Sequence, residues 1–181
     1  MDVVVPKHLF LFNETNLPLF FLAGPEKGGQ DWQAGAAGQL MAEQGMGTVA
    51  IPYSKPLSVL HPCYSMLRLG KEDVFGRQAQ WERHHLNCAS RHGCIIFWLP
   101  AMDPHYQPTI DHPYARFTYG ELGEWRAHLQ HNRSLRVVVG GESGFPGFNT
   151  EMYNWQAAIS DFQYYHTLEE TVSAAISRAS G

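Results

Sequence analysis

Two glutamates three residues apart, Glu121 and Glu124, stand in the run Ala115-Arg116-Phe117-Thr118-Tyr119-Gly120-Glu121-Leu122-Gly123-Glu124-Trp125. The run follows a Pro-rich stretch and reads as the opening of a helix. A helix N-terminus is electropositive and presents unpaired N–H groups, so a carboxylate there is expected to stay ionised. An ionised carboxylate beside a cleft is what covalent glycosyl chemistry requires. The plain structural reading is that both acids merely complement the helix dipole. A third acid, Glu82, follows Trp81 and is expected in the first turn of another helix, over residues 78–90.

Elements that would position these acids follow from periodicity. Leu19-Phe20-Phe21-Leu22-Ala23 is a continuous apolar run ending in Gly24-Pro25, as a central parallel strand should be. The turn Gly24 to Gly29 leads to Asp31, a candidate N-cap, and a helix over 32–44 with Ala36, Leu40 and Met41 inward. Further strands are expected at 47–52, 94–99, 135–140 and 162–165. Helices are expected at 78–90, with Ala79, Leu86 and Ala89 inward, and at about 117–131. Two more follow: one capped by Asn149 and running to Ile159, and one opened by a Thr167/Glu170 capping box and ending near Arg178. Residues 1–18 read as an N-terminal extension or an added edge strand, with Val3-Val4-Val5 able to pair. Residues 53–75 and 100–115 read as long loops. Alternating strands and helices imply a parallel sheet covered on both faces. In such folds ligands sit beyond the carboxyl ends of the strands. The turn Gly24 to Gly29, Glu82, the run Arg116 to Glu124 and the turn Gly141 to Gly147 all fall at that edge or at helix starts.

Composition excludes several classes. The chain has 181 residues, 44% hydrophobic and 17% charged, as expected for one globular domain with a full core. The net charge of −4, with scattered Lys and Arg, argues against a nucleic-acid polymer or an anionic membrane as partner. No apolar run reaches the ~18–20 residues of a membrane span, and the first residues lack a signal-peptide cleavage site. The three cysteines, Cys63, Cys88 and Cys94, lack a metal spacing and suggest reduced thiols in a cytoplasmic protein, two of them in the core. Ten histidines form no HExxH motif, and the adjacent His84 and His85 point different ways on a helix, so no metal site is expected.

Taken in order, Phe21-Leu22-Ala23-Gly24-Pro25, Asp31-Trp32, Trp81-Glu82 with Leu86, Ile96-Phe97-Trp98-Leu99-Pro100 and Glu121-Leu122-Gly123-Glu124-Trp125 resemble the nucleoside 2-deoxyribosyltransferase superfamily, in its 2-deoxyribosyltransferase-like branch. The likeness covers about residues 19–147. It implies a flavodoxin-like α/β three-layer sandwich with a five-stranded parallel sheet over 19–181, usually oligomeric. It implies cleavage or exchange of the N-glycosidic bond of a (deoxy)nucleoside or nucleotide, with no metal or organic cofactor. The family's nucleophilic glutamate carries over onto Glu121, and its sugar-orienting or proton-handling acid onto Glu82. Gly24, with Pro25 beside it, carries over as the first turn. Phe21 replaces a Tyr found in some members, so a hydroxyl role there is lost. Arg116 and Thr118 depart from the family's pattern and are candidates to meet an anionic substrate. Ser143 and Asn149 are candidates for a residue supplied to a neighbouring subunit. Trp32, Trp81 and Tyr53 are candidate pocket aromatics, Trp98 reads as core, and Glu124 reads as a supporting substrate contact. Two alternatives stand beside this reading. One is a nucleotide N-glycoside hydrolase without transfer, and the other an idle nucleotide or ADP-ribose-type binding module.

Overall fold

The computed structural model describes residues 1–6, 17–52 and 74–181, with side chains from residue 78 onward in the last stretch. In chain order the elements are β1 (Asp2–Val4), β2 (Leu19–Ala23), α1 (Gln33–Gln44), β3 (Thr48–Ala50), α2 (Val74–His92), β4 (Gly93–Leu99), α3 (Arg116–His131), β5 (Val137–Gly141), α4 (Phe148–Ala158), β6 (Tyr164–Tyr165) and α5 (Leu168–Ser180). The strands form one sheet in the order β1-β3-β2-β4-β5-β6, and every pairing is parallel. This is an α/β sandwich of the Rossmann/flavodoxin-like kind. Among the described residues no helix is long and apolar enough to cross a membrane.

Strands β2, β4 and β5 are buried at every position, because helices cover both faces of the sheet. Successive side chains point to opposite faces, so one apolar run feeds two cores. Phe21, Ile95, Phe97 and Val139 pack beneath α2, α3 and α4 with Trp81, Leu122 and Trp155. Phe20, Ile96, Trp98 and Val138 pack beneath α1 and α5 with Leu40 and Val172. After β2 the chain moves outward to β3. It then returns across β2 to lay down β4, β5 and β6. The direction reverses between β2 and β4, whose ends are registered by Ala23 opposite Phe97. That reversal opens a crevice at the carboxyl edge.

Several expectations need correction. The sheet has six strands rather than five: of the two readings of the N-terminal residues the added edge strand holds, as β1, which pairs with β3 through Val3 and Val49. The helix carrying Glu82 starts at Val74 rather than Gln78; Gly76 lies inside it, a tolerable cost of about 1 kcal/mol. Glu82 therefore lies about two turns in, not in the first turn. Asp31 does not cap α1: the N-cap position is Trp32, with no side-chain cap bond. Met41 is 40% exposed, and Gln33 is buried in its place on the inner face. Asn149 does not cap α4 either. Gly147, in the left-handed conformation, takes the N-cap position so that Phe148 can enter the core, and Asn149 becomes an exposed helical residue. Of the cysteines, Cys94 is buried and Cys88 half-buried. Cys94 is held as a thiol by burial, which pushes it up to about 12. Cys63, Tyr53 and the loop to residue 73 lie outside the described residues.

The Thr167 half of the expected capping box is present. Thr167 Oγ1 accepts the Glu170 N–H at 3.2 Å, and its carbonyl accepts the Thr171 hydroxyl at 2.7 Å. Thr167→Ala should cost about 1 kcal/mol of unfolding free energy, and Thr167→Ser only a fraction of that. A denaturant titration of both variants checks this; equal losses would show that the cap is not what the hydroxyl contributes.

Candidate functional site

Three connections leave the carboxyl edge around the crevice: residues 24–32 after β2, 100–115 after β4 and 142–147 after β5. The first is held from behind by Trp32, whose indole N–H donates to the Pro25 carbonyl at 3.1 Å. The second arches back over the first. Gly29 and Met102 form an antiparallel bridge, and Asp103 N–H donates to the Gly28 carbonyl at 2.7 Å. Glycine is required where they cross: a Cβ on Gly28 would lie 2.7 Å from the Tyr106 ring, and one on Gly29 would lie 2.7 Å from the Tyr114 hydroxyl. Tyr114 is buried and donates to the Pro100 carbonyl at 3.0 Å. The next residue, Ala115, takes the left-handed conformation with φ 57°, at a cost on the order of 1 kcal/mol. This sharp turn, anchored by Tyr114, sends the chain inward to start α3. Tyr119 then fastens α3 to the third connection by donating to the Pro146 carbonyl at 2.6 Å.

Glu121 lies in the second turn of α3, and no acid occupies the first turn. The expectation that a helix N-terminus would keep it ionised is therefore wrong. Burial raises its pKa most, and the nearby carboxyls of Glu82, Glu124 and Glu26 raise it further, to about 8. Among the described residues, the charges that shift it are all acidic. Glu82 approaches from α2, half-buried, and accepts a hydrogen bond from the Gln78 amide at 2.9 Å. Burial also raises the Glu82 pKa, with the Gln78 bond opposing. Two carboxyl groups from different helices thus lie within electrostatic reach of one another, both with raised pKa values.

The other candidates divide. Phe21 and Trp81 form a buried wall on the same face, with ring centroids 6.0 Å apart. Behind Trp81 stands His85, 4.1 Å away and fully buried. Burial holds His85 neutral, with its pKa down to about 4, against the opposing bond to the Trp81 carbonyl. Glu124 is exposed and pairs with His128 at 3.7 Å, a solvent-facing contact one turn from Glu121. Trp32 is buried on the opposite face, among the α1 and α5 residues, away from Trp81. Arg116 is exposed; it donates to the Asp111 carbonyl at 3.1 Å and lies over the Phe117 ring. Thr118 is buried, whereas Ser143 and Asn149 are exposed. Among the described residues no group of three or more His, Cys, Asp or Glu is arranged to hold a metal ion.

Two residues were missed by sequence reasoning. Glu26 sits half-buried in the first connection and acts electrostatically on Glu121. Glu142 in the third connection accepts the Ala101 N–H at 2.7 Å. Both stand inside Gly-rich turns at the sheet edge, and that position was the available signal. On the α1/α5 face of the same edge lies a cavity of about 340 Å³, lined by Trp32, Trp98, Glu142 and His166 among others. It is a separate space from the Glu121 side of the sheet.

The proton on Glu121 links the site to stability. The folded protein holds it up to about pH 8, whereas the unfolded chain releases it near the ordinary 4.5. Its contribution is therefore complete below 4.5 and is lost as pH rises toward 8. Glu121→Gln should melt higher than the wild type at pH 8.5, by several degrees, and the gap should close as pH falls to 4.5. Thermal scans across that range test this, and a pH-independent gap would mean that Glu121 is not held protonated. No protein-family model matches the chain, and no curated protein matches it.

Proposed function

We propose that the protein cleaves or exchanges the N-glycosidic bond of a nucleoside or nucleotide, with Glu121 as covalent nucleophile and Glu82 as the proton-handling acid. The observation that carries this reading is the pair of half-buried carboxyls on α3 and α2, both with pKa values raised by burial, at the crevice edge. Breaking the C1′–N bond sends its electron pair to the base nitrogen, which needs a proton, and leaves positive charge at C1′. Glu82, with its raised pKa, can donate that proton. Glu121 must be a carboxylate to bond C1′. Positive charge growing beside it lowers its pKa and stabilises that form. Water or a second base then attacks C1′ and restores the Glu121 carboxylate. The buried wall of Phe21 and Trp81 keeps the surroundings apolar, which strengthens these charge effects.

Assembly belongs to the same reading. Ser143 and Asn149 face solvent, as residues offered to another copy must.

A panel of nucleosides and 5′-monophosphates, with and without a free-base acceptor, followed by chromatography, tests the proposal. Base release that needs no acceptor and ignores one indicates hydrolysis; exchange indicates transfer. Glu121→Gln should lose several powers of ten in kcat/KM, and Glu82→Gln should lose less when the leaving base is already cationic. For a neutral substrate, kcat/KM should rise with pH up to about 8, as free Glu121 gives up its proton. Near-normal turnover in Glu121→Gln would sink the nucleophile assignment.

A further inference from the structure

We propose that Glu142 is a positioning residue for this site: it holds the root of the 100–115 connection and thereby keeps the turn that carries Glu26 in its place at the crevice edge. The kinetic part rests on the function proposed above; the structural part stands without it.

The three connections at the sheet edge form one joined unit. Glu142 is tied to the end of β4, its own N–H donating to the Leu99 carbonyl at 2.9 Å. From there its Oε2 reaches the Ala101 N–H at 2.7 Å. Met102 N–H donates to the Gly144 carbonyl at 3.3 Å, which brings the second connection against the third. One residue further on, the same strand of chain grips the first connection through the Asp103 bond to Gly28 and the Met102–Gly29 bridge. Glu142 contributes the one side chain in this row of backbone bonds, and a carboxylate-to-amide bond is stronger than a neutral one. Glu26 lies two residues before Gly28, so a shift at Ala101 passes through Met102 and Asp103 to the turn that bears it.

The charge of Glu142 is not what matters. Among the described residues, the charges that act on Glu121 are Glu82 from α2, Glu124 from its own helix and Glu26 from the first connection, and Glu142 is not among them. Glu142 also borders the cavity of about 340 Å³, so water can reach the Ala101 N–H when the carboxylate is removed. Its loss should loosen the joint rather than unfold the chain.

The test is a carboxyl-carbon NMR titration of the full-length protein without substrate, with the Glu121 resonance assigned by comparison with Glu121→Gln. Glu142→Ala should move the Glu121 midpoint down, because a like charge is displaced and water is admitted. Glu142→Gln should titrate as the wild type does, because its amide oxygen can accept the same N–H. Glu142→Asp keeps the charge but withdraws it by one methylene, and should shift as Glu142→Ala does; it serves if the alanine variant folds poorly. An unmoved midpoint in both Glu142→Ala and Glu142→Asp, or an equal shift in Glu142→Gln, overturns the proposal. Where nucleoside turnover is measurable, Glu142→Ala should lose roughly 10- to 100-fold in kcat with KM little changed, and Glu142→Gln should recover it. Absence of turnover in the wild type would count against the proposed function alone, since the titration is read without substrate.

Discussion

A parallel sheet covered on both faces leaves its side chains no access to solvent, so its chemistry is confined to the edge where the strands end. Here β2, β4 and β5 are buried at every residue. The strand order reverses between β2 and β4, and the connections that leave them must diverge to opposite sides of the sheet. The crevice is thus a consequence of topology. What the sequence adds at that edge is specific: glycines that let two connections cross in contact, a left-handed Ala115 that aims α3, and acids on the segments that meet there.

The acids are held against their electrostatic preference. Glu121 is half-buried under the influence of Glu82, Glu124 and Glu26, and its response is to keep a proton to about pH 8. A protein selected only for stability would place an apolar or amide side chain there, because neither carries a charge that burial and neighbouring acids penalise. The arrangement becomes favourable when positive charge enters the pocket. A group that is costly in the empty site and stabilised by a developing cation provides the differential stabilisation that catalysis needs. The same proton supply serves the leaving base, so burial and repulsion prepare both halves of the proposed reaction.

The fold was legible in the sequence wherever a local pattern carried it. Leu19 to Ala23 and Cys94 to Leu99 read as buried strands because doubly covered strands are continuously apolar, and both are strands of the sheet. Thr167 and Glu170 read as a cap because the hydroxyl and the N–H it meets are three residues apart. Legibility failed where the outcome depends on packing between distant segments. That Val3 to Val5 could pair was legible but the partner was not: β1 joins β3, Asp2 to Thr48, residues 46 apart in sequence. Trp32 and Trp81 look alike as aromatics beside an acid, yet they lie in cores on opposite faces. The ionisation of Glu121 was misread because a helix-start argument is local, whereas two of the acids that act on it, Glu82 and Glu26, come from α2 and the first connection.

Glu26 and Glu142 extend that lesson to the site. Each reads in sequence as a polar residue in a flexible turn, and each gains its role only because three turns from three strands meet. Their partners differ in kind. Glu26 acts on Glu121 through space, a field that weakens gradually with separation. Glu142 acts through a hydrogen bond, which fails steeply once its geometry is lost. A small displacement of the joint therefore changes the second contact abruptly and the first smoothly. Backbone bonds around Ala101, Met102 and Asp103 pass that abrupt contact on to the turn that carries Glu26. The position of the Glu26 charge relative to Glu121 is thus set by a contact made at a different strand end.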